Sequence, residues 1–269
     1  NAIGGQINIF TPSPWSRRGW QLGASYARAN TARLNAGWYG RLGSKVATSM
    51  TAYGSMTDGF YRNDYDNSHC GRERQANARW KLSWHPGGRW SLANTATYGY
   101  VKQHGYPYAS AATGRIDYND PASYRRSGFA DGLSVSFTGN RMVATSQTSV
   151  QYLNDDMIMD QDFTSADYFT LRQKRHEWAF TQDIFAKGTR KSYDWLLGVF
   201  GFAKKAHTDA PVIFKQEGIE RLILDNANKS LPPGMQLRWD EEQMLLGSNF
   251  DITDGGFSVY HTSTLHLGH

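Results

Sequence analysis

Cysteine and long apolar runs are the two features that this sequence lacks. Its one cysteine, Cys70, excludes an intrachain disulfide and any metal site built from several cysteines. No stretch reaches the roughly 18 apolar residues of a spanning helix, so transmembrane helices are excluded as well. A membrane location is still open, because a spanning β-strand presents only every second side chain to lipid and therefore has modest average hydropathy.

Charge is not concentrated in any one part of the chain. The net charge of +5 comes from 29 Lys and Arg against 24 Asp and Glu, spread among predicted strands, turns and loops. A nucleic-acid-binding protein would show a dense basic stripe or an aromatic RNA-binding signature. We therefore expect no nucleic-acid partner.

Aromatic residues and glycine are plentiful, and apolar residues recur with a period of two from Trp20 onward. Such alternation predicts half-buried β-strands. The apolar runs extend over ten or more positions, longer than the five or six residues of most strands in soluble sandwiches and close to the roughly 9 to 11 that cross a bilayer. The clearest run, residues 77–84, places Trp80, Leu82 and Trp84 on a predicted lipid-facing side. Arg79, Lys81 and Ser83 lie on the opposite side, which is predicted to face the lumen. In a later strand, Val135 and Phe137 are also predicted to face lipid.

Ten strands are predicted, joined by connections of two lengths. Short turns follow strands two, four, six and eight, whereas long polar loops follow strands three, five, seven and nine. This alternation is typical of an outer-membrane barrel with tight periplasmic turns and large extracellular loops. The predicted strands are 20–28, 33–41, 45–55, 75–85, 90–103, 126–138, 141–153, 173–187, 193–206 and 256–268, and the predicted long loops are 56–74, 104–125, 154–172 and 207–255.

The opening segment 1–14 carries the most specific motif. Paired Gly4 and Gly5 allow a close approach of two backbones, and they stand between Asn1 and Asn8 in the sequence Asn-Ala-Ile-Gly-Gly-Gln-Ile-Asn-Ile. This motif resembles the last plug-domain strand of TonB-dependent outer-membrane receptors, although Gln6 replaces an aliphatic residue that is common there. Residues 59–65, 105–108 and 117–120 resemble the early extracellular loops of the same family, with a weaker match.

The resemblance implies an all-β fold, an incomplete antiparallel transmembrane β-barrel. About ten of a presumed 22 strands would be present, with residues 1–14 as the C-terminal end of the plug domain and 15–269 as the first part of the barrel. The signal peptide and most of the plug, including the segment that contacts TonB, would lie upstream. Strands one and ten would each leave an unpaired edge, so this segment alone is not expected to form a closed monomeric barrel.

The resemblance further implies TonB-dependent active uptake of a scarce nutrient across the bacterial outer membrane. The ligand would be a ferric siderophore, haem or cobalamin, and the partners would be outer-membrane lipid and TonB. We expect no enzymatic activity, no resident cofactor and no metal site. Stacking faces and guanidinium donors in the loops suit anionic, aromatic ligands, and the candidate contacts are Arg62, Tyr65, Arg72, Tyr106, Tyr108, Arg115 and Tyr118.

Three other groups have more ordinary explanations. The acidic loop with Asp155, Asp156, Asp160, Asp162 and Asp167 lacks the fixed spacing of a Ca²⁺ site, which favours a solvated loop. We expect His69, His104 and His207 to be surface histidines that do not pair to bind a metal. Cys70 is expected to be chemically inert. Residues 213–224 predict a short amphipathic helix with Ile219, Leu222 and Ile223 on its apolar side, packed on the barrel mouth.

Two other classes of protein remain open at this stage. An outer-membrane hydrolase built on a ten- or twelve-stranded barrel would pair strand ten with strand one and would have no plug-like segment before strand one. A soluble carbohydrate-binding β domain would place polar residues at outward positions such as Trp80, Leu82 and Trp84.

Overall fold

The computed structural model describes residues 11–267, and ten long strands dominate it. They are β1 (Gly19–Ala27), β2 (Thr31–Arg41), β3 (Val46–Thr57), β6 (Arg72–Gly87), β7 (Trp90–His104), β8 (Ser123–Thr138), β9 (Met142–Asp160), β10 (Phe169–Thr189), β11 (Tyr193–Asp209) and β14 (Asn249–Leu265). Four short strands lie in the connections: β4 (Tyr61–Arg62), β5 (His69–Cys70), β12 (Val212–Lys215) and β13 (Gln243–Leu246). Within residues 11–267, no helix has the length and apolar character needed to cross a membrane.

The ten long strands form one antiparallel sheet in simple sequence order. Each pairs with its neighbour in the order β1-β2-β3-β6-β7-β8-β9-β10-β11-β14, while β12 extends the sheet beside β10 and pairs with β13. Within the described residues the sheet does not close, because β1 and β14 are its two edges. The predicted all-β, incomplete antiparallel barrel wall with ten strands is therefore confirmed.

The two faces of the sheet differ in chemistry, although the hydrogen-bonded pair Asn94 and Asp131 lies within the mainly apolar face. Directly opposed residues share a face, and the register joins Trp20, Trp38, Met50 and Trp80 across four strands. Large apolar side chains on this outer face are exposed, Trp20 by 75% and Phe257 by 85%. The neighbouring row on the inner face is polar, and it runs through Gln21, Thr51, Arg79, Thr97 and Gln151.

Two aromatic rows border the apolar band of the outer face. Tyr98, Phe129, Tyr152 and Trp178 stand side by side at one border, while Trp90 pairs with Phe137 at the other, with ring centroids 5.0 Å apart. Phe129 and Phe137 are eight positions apart on β8, which corresponds to about 27 Å along the strand and about 20 Å across a bilayer at a tilt of about 40°. Aromatic girdles at both interfaces are typical of outer-membrane barrels.

The connections are segregated by length, with one departure from the predicted alternation. Residues 42–45, 88–89, 139–141 and 190–192 form tight turns at one end, whereas the long loops 58–71, 105–122, 161–168 and 210–248 lie at the other. The turn between β1 and β2 belongs to the long-loop end but has only three residues, 28–30. It closes tightly because Ala29 and Asn30 adopt positive φ, and its carbonyl at Ala29 accepts the Asp58 amide at 2.9 Å.

All four predicted long loops are too long, the last two by the most, because the strands continue past their apolar section. β9 ends at Asp160 and β10 begins at Phe169, so the loop is 161–168 instead of 154–172. Cross-strand ion pairs join the polar end of β9 to its other neighbour, β8, with Arg126 3.0 Å from Asp155 and Arg125 3.2 Å from Asp156. The last loop is 210–248 instead of 207–255, because β14 already begins at Asn249 and pairs with Asp209.

Candidate ligand-binding face

The first long loop folds back on itself as a small hairpin. Its strands β4 and β5 pair Tyr61 with Cys70 and Arg62 with His69. The guanidinium of Arg62 donates to the backbone and side-chain oxygens of Asn67, at 3.0 and 3.1 Å. Arg62 is therefore held in place at the solvent-exposed tip, and Tyr65 beside it is exposed by 56%. Both predicted candidates lie where an incoming ligand can reach them.

The first and second long loops share a small buried core made of Cys70, Ile116 and Tyr118. The Tyr118 hydroxyl lies 3.2 Å from Sγ of Cys70 and accepts the Tyr106 amide at 3.1 Å. Burial raises the pKa of the Cys70 thiol and that of the Tyr118 hydroxyl, which keeps both groups neutral. Tyr118 is only 4% exposed, so in this arrangement it joins the two loops and does not face solvent.

Cys70 lies in a loop as predicted, but its surroundings are buried and not polar. It is completely buried, because the chain turns tightly around it at Gly105, which has a positive φ of 69°. A Cβ at Gly105 would lie 2.7 Å from the Tyr118 hydroxyl. No sequence pattern signals this packing, since the residues that enclose Cys70 belong to another loop.

Tyr106, Tyr108 and Phe163 form an aromatic cluster across the second and third long loops. The Tyr106 and Tyr108 rings stack with centroids 5.7 Å apart, and Phe163 meets Tyr108 edge-on at 5.5 Å. Burial, followed by the nearby Tyr108 and Tyr124 hydroxyls, raises the pKa of Tyr106. Tyr108 is 58% exposed and presents an open ring face. Phe163, which the sequence did not single out, completes the cluster.

The remaining two candidates lie apart from this cluster. Arg115 forms a surface ion pair with Asp64, with Nε 2.8 Å from Oδ2, and the Asp64 hydrogen bond raises the pKa of Arg115. Arg72 lines a cavity of about 190 Å³ between the first two loops, together with His69, His104, Asn119 and Asp120. The buried atoms His69 Nδ1 and Asn119 Oδ1 have no hydrogen-bond partner within residues 11–267.

The acidic positions and His207 all have partners inside the protein. Asp155 and Asp156 pair with Arg126 and Arg125, Asp160 accepts the amides of Asp120 and Phe163, and Asp162 accepts from Thr164. His207 Nδ1 lies 3.0 Å from Asp251. In the part of the chain that the structure describes, no group of three or more His, Cys, Asp or Glu residues is arranged to hold a metal ion.

Lys215 joins three long loops at one point. Its ammonium group lies 2.6 Å from Asp120 of the second loop and 2.5 Å from Asp167 of the third, while Lys215 itself belongs to the fourth. Although burial opposes the charged form, the hydrogen bonds to Asp120 and Asp167 raise the pKa of Lys215. We refer to Lys215, Asp120 and Asp167 as the loop junction. The sequence did not reveal it, because its members are up to 95 positions apart.

The predicted amphipathic helix is present in the fourth loop, but it begins later than expected. Residues 212–215 form β12, and three consecutive helical segments follow: α1 (Gln216–Gly218), a π-helical segment (Ile219–Leu224) and α2 (Asp225–Asn228). Ile219 is buried with 1% exposure, whereas Leu222 is 39% exposed. Ile219 therefore packs the start of the helix against the protein, Ile223 is half-buried, and Leu222 faces solvent.

The plug-like motif Asn1, Gly4, Gly5 and Asn8 lies outside the described residues. The adjoining segment 11–15 lies on the inner face of the wall. Lys81 Nζ donates to Thr11, and Trp15 Nε1 donates to Ser83 Oγ at 2.7 Å. The Trp15 ring also stacks on His85, with centroids 5.2 Å apart. Lys81 and Ser83 thus have the inward orientation that the alternation predicted.

Comparison with known proteins defines the fold of this wall. No family model matches the sequence, and no match is found among curated proteins. The structure is similar to that of the ferric yersiniabactin uptake receptor FyuA from Yersinia pestis, with a TM-score of 0.61 and 13% identity over 91% of this chain and 43% of FyuA. It is also similar to the siderophore receptor PiuA from Acinetobacter baumannii, with a TM-score of 0.59 and 11% identity over 92% of this chain and 40% of PiuA.

This chain therefore shares the fold of part of the β-barrel of these two receptors. The resemblance to TonB-dependent receptors that the sequence indicated is confirmed at the level of the fold. The chain spans about two fifths of the length of each of the two receptors. Both are named for uptake or for a siderophore, and neither is named as an enzyme.

Proposed function

We propose that this chain belongs to a TonB-dependent receptor that takes up a ferric siderophore across the bacterial outer membrane. The observation that carries the proposal is the segregation of the long loops to one end of a receptor-like wall, where they interlock and present exposed Tyr and Arg side chains. Haem and cobalamin stay as the alternative ligands, while the similarity to FyuA and PiuA favours a siderophore.

The exposed groups suit a ligand that is both aromatic and anionic. Tyr108 offers an open ring beside stacked Tyr106, and Arg62 presents donors that are already oriented by Asn67. Guanidinium groups bind carboxylate and catecholate oxygens through charge-assisted hydrogen bonds, and ring faces stack against aromatic ligand groups. In this proposal Arg62, Tyr65, Tyr106 and Tyr108 contact the ligand, Arg72 and Arg115 border the site, and Tyr118 supports it from below.

Residues 1–14 are proposed to be the end of a plug domain, and 15–269 the first part of the barrel. Support comes from the inward contacts of Thr11 and Trp15 with β6, which are what a segment leaving the lumen and entering β1 would make. Uptake would draw its energy through TonB acting on the upstream part of the plug. The receptor would not be an enzyme and would need no resident cofactor.

The proposal is tested by deleting the gene that encodes the full-length protein and growing the host on defined sources of iron and of cobalamin. We expect growth to be lost on one ferric siderophore and kept on ferric citrate, with recovery when the intact gene is restored. Loss of growth on haem or cobalamin instead would assign the receptor to the alternative ligand. Unchanged growth on every source, with the protein present in the parent strain, would refute an uptake function.

A further inference from the structure

A row of cations lies on the outer face of the wall, above the apolar band. Arg74 on β6 is directly opposite Lys102 on β7, and Lys102 is directly opposite Arg125 on β8. All three side chains are exposed. We refer to Arg74, Lys102 and Arg125 as the outer basic row.

The outer basic row points away from the lumen. Side chains alternate between the two faces, so residues an even number of positions apart on one strand share a face. Arg74 is six positions from Trp80, Lys102 four from Tyr98, and Arg125 four from Phe129. These three aromatic residues belong to the lipid-facing side, so the cations face outward as well.

The height of the row corresponds to that of lipid headgroups. Tyr98 and Phe129 belong to the upper aromatic row, which marks the border of the hydrocarbon. Four residues further along a strand correspond to about 14 Å, or about 10 Å along the membrane normal at a tilt of about 40°. The positive charges therefore stand where the phosphates of the outer leaflet lie.

The charge of the row is only partly neutralised by the protein. Asp156 lies 3.2 Å from Arg125, but it also lies 3.3 Å from Arg172 on the next strand. Arg74 and Lys102 have no ion-pair partner among residues 11–267. Like charges directly opposite each other on a sheet are destabilising, so three adjacent cations call for an anion from outside the chain.

We propose that the outer basic row binds the phosphate groups of anionic lipids in the leaflet that surrounds the long-loop end of the wall. The ligand is a lipid whose headgroup carries phosphate and whose acyl chains lie against the apolar band below. Tyr98 and Phe129 border the acyl chains, and the three cations hold the headgroup. Guanidinium and ammonium groups are well suited to phosphate oxygens.

The test uses the full-length receptor in nanodiscs made of phosphatidylcholine with a minor share of phosphatidylglycerol. Lipids that remain bound after transfer to detergent are identified by native mass spectrometry. The variant is Arg74→Gln, Lys102→Gln, Arg125→Gln, and the control is Arg33→Gln, Arg79→Gln, Lys204→Gln, which removes three charges from the inner face. A single variant, Lys102→Gln, serves if the triple variant folds poorly.

The wild-type receptor and the control are expected to retain phosphatidylglycerol in preference to phosphatidylcholine. Each basic residue near an anionic membrane surface contributes about fivefold to binding, so Lys102→Gln should lower retention about fivefold and the triple variant much more. Equal retention by the wild type and the folded variants would overturn the proposal. Displacement of the lipid by inorganic phosphate at the same concentration would also overturn it, because a simple anion site would then suffice.

Discussion

Trp15 Nε1 donates a 2.7 Å hydrogen bond to Oγ of Ser83, which stands 68 positions further along the chain. This contact places residues 11–15 on the same side of β6 as Ser83, which is the polar side of the strand. Leu82 and Trp84 consequently point to the opposite, apolar side. The orientation of the remaining strands follows from β6 through the register of the sheet, which shifts between β6 and β7 only at the turn end, between Trp84 and Gly87.

Placing a charge at Leu82 tests this orientation directly. We expect Leu82→Arg to destabilise the full-length receptor by about 2 to 4 kcal/mol, because a cation near the bilayer midplane loses its hydration. The control is Gln151→Arg, on the inner face of β9, which should cost far less. The free energy of unfolding is measured by urea titration in lipid vesicles, and equal costs for the two variants would contradict the assigned faces.

The aromatic and guanidinium groups of the loops are tested by a triple substitution. Arg62→Ala, Tyr106→Ala and Tyr108→Ala together should weaken ligand binding at least tenfold, since stacking and charge-assisted hydrogen bonds are both removed. The amount of receptor in the outer membrane should not change. Binding is measured by fluorescence quenching with the ligand identified from the growth assay.

The control for the triple substitution is Trp178→Ala, which removes an exposed aromatic side chain from the lipid-facing side. Ligand affinity in this control should equal that of the wild type. If the loop variant also binds with unchanged affinity, the binding surface lies elsewhere, on the fourth loop 210–248 or on the plug.

The buried pair of Tyr118 and Cys70 allows a chemical measurement of loop packing. Tyr118→Phe removes the hydroxyl that accepts the Tyr106 amide and contacts Sγ of Cys70. A buried amide left unpaired costs about 1 to 3 kcal/mol, so the two loops should open more often. We expect maleimide to label Cys70 faster in Tyr118→Phe than in the wild type, and at an unchanged rate in the exposed control Tyr65→Phe.

The same pair gives a pH dependence with a definite sign. Burial raises the pKa of both groups, so the folded loops keep their protons to higher pH than the unfolded loops do. The stability that the pair contributes is therefore complete below the ordinary thiol range and falls as pH rises through and above it. Protection of Cys70 that increases at alkaline pH would contradict this sign.

The loop junction is expected to hold the fourth loop against the second and third loops. Lys215→Gln should free the second, third and fourth loops from one another, because it leaves Asp120 and Asp167 without their shared cation. Asp120 is largely buried, so breaking this pair is expected to cost more than breaking a surface pair. Limited proteolysis within residues 229–242 should become faster.

The control for the junction is Lys229→Gln, which removes an exposed lysine from the same loop. Its proteolysis rate should match that of the wild type. Equal proteolysis rates for the two variants would show that Lys215 does not hold the fourth loop in place.

The loop junction also gives a pH dependence. Because the pKa of Lys215 in the folded protein lies above its unfolded value, the stability that the junction contributes is complete below the usual lysine range. It is lost as pH rises through the folded pKa.

The wall was predictable from sequence because its signal is local. Alternation between Asn77 and Trp84 fixes the two faces of β6, and the tight turn at Gly139 separates β8 from β9 without information from elsewhere in the chain. The ends of β9 and β10 were missed because their polar residues pair across strands, as Arg126 does with Asp155. A single strand does not show that its polar residues have partners.

The candidate site was predictable in composition but not in arrangement. Tyr and Arg in the long loops placed the candidate site at the long-loop end of the wall, and that location stays a prediction. Burial of Tyr118, stacking of Tyr106 on Tyr108 and the loop junction at Lys215 all depend on contacts between different loops. Such contacts depend on how the strands bring the loops together. A local sequence pattern contains no information about this arrangement.

The segregation of long and short connections has an evolutionary consequence. Each pair of neighbouring strands from β6 to β14 is aligned over many consecutive residues, so an insertion or substitution in a long loop does not shift the alignment of the wall. In the proposed receptor, changes in ligand recognition would then be confined to the loops, and the strands would keep the same residues on each face of the wall. The tight turns at the opposite end lack this freedom, because a single added residue there would reverse the faces of the strand that follows.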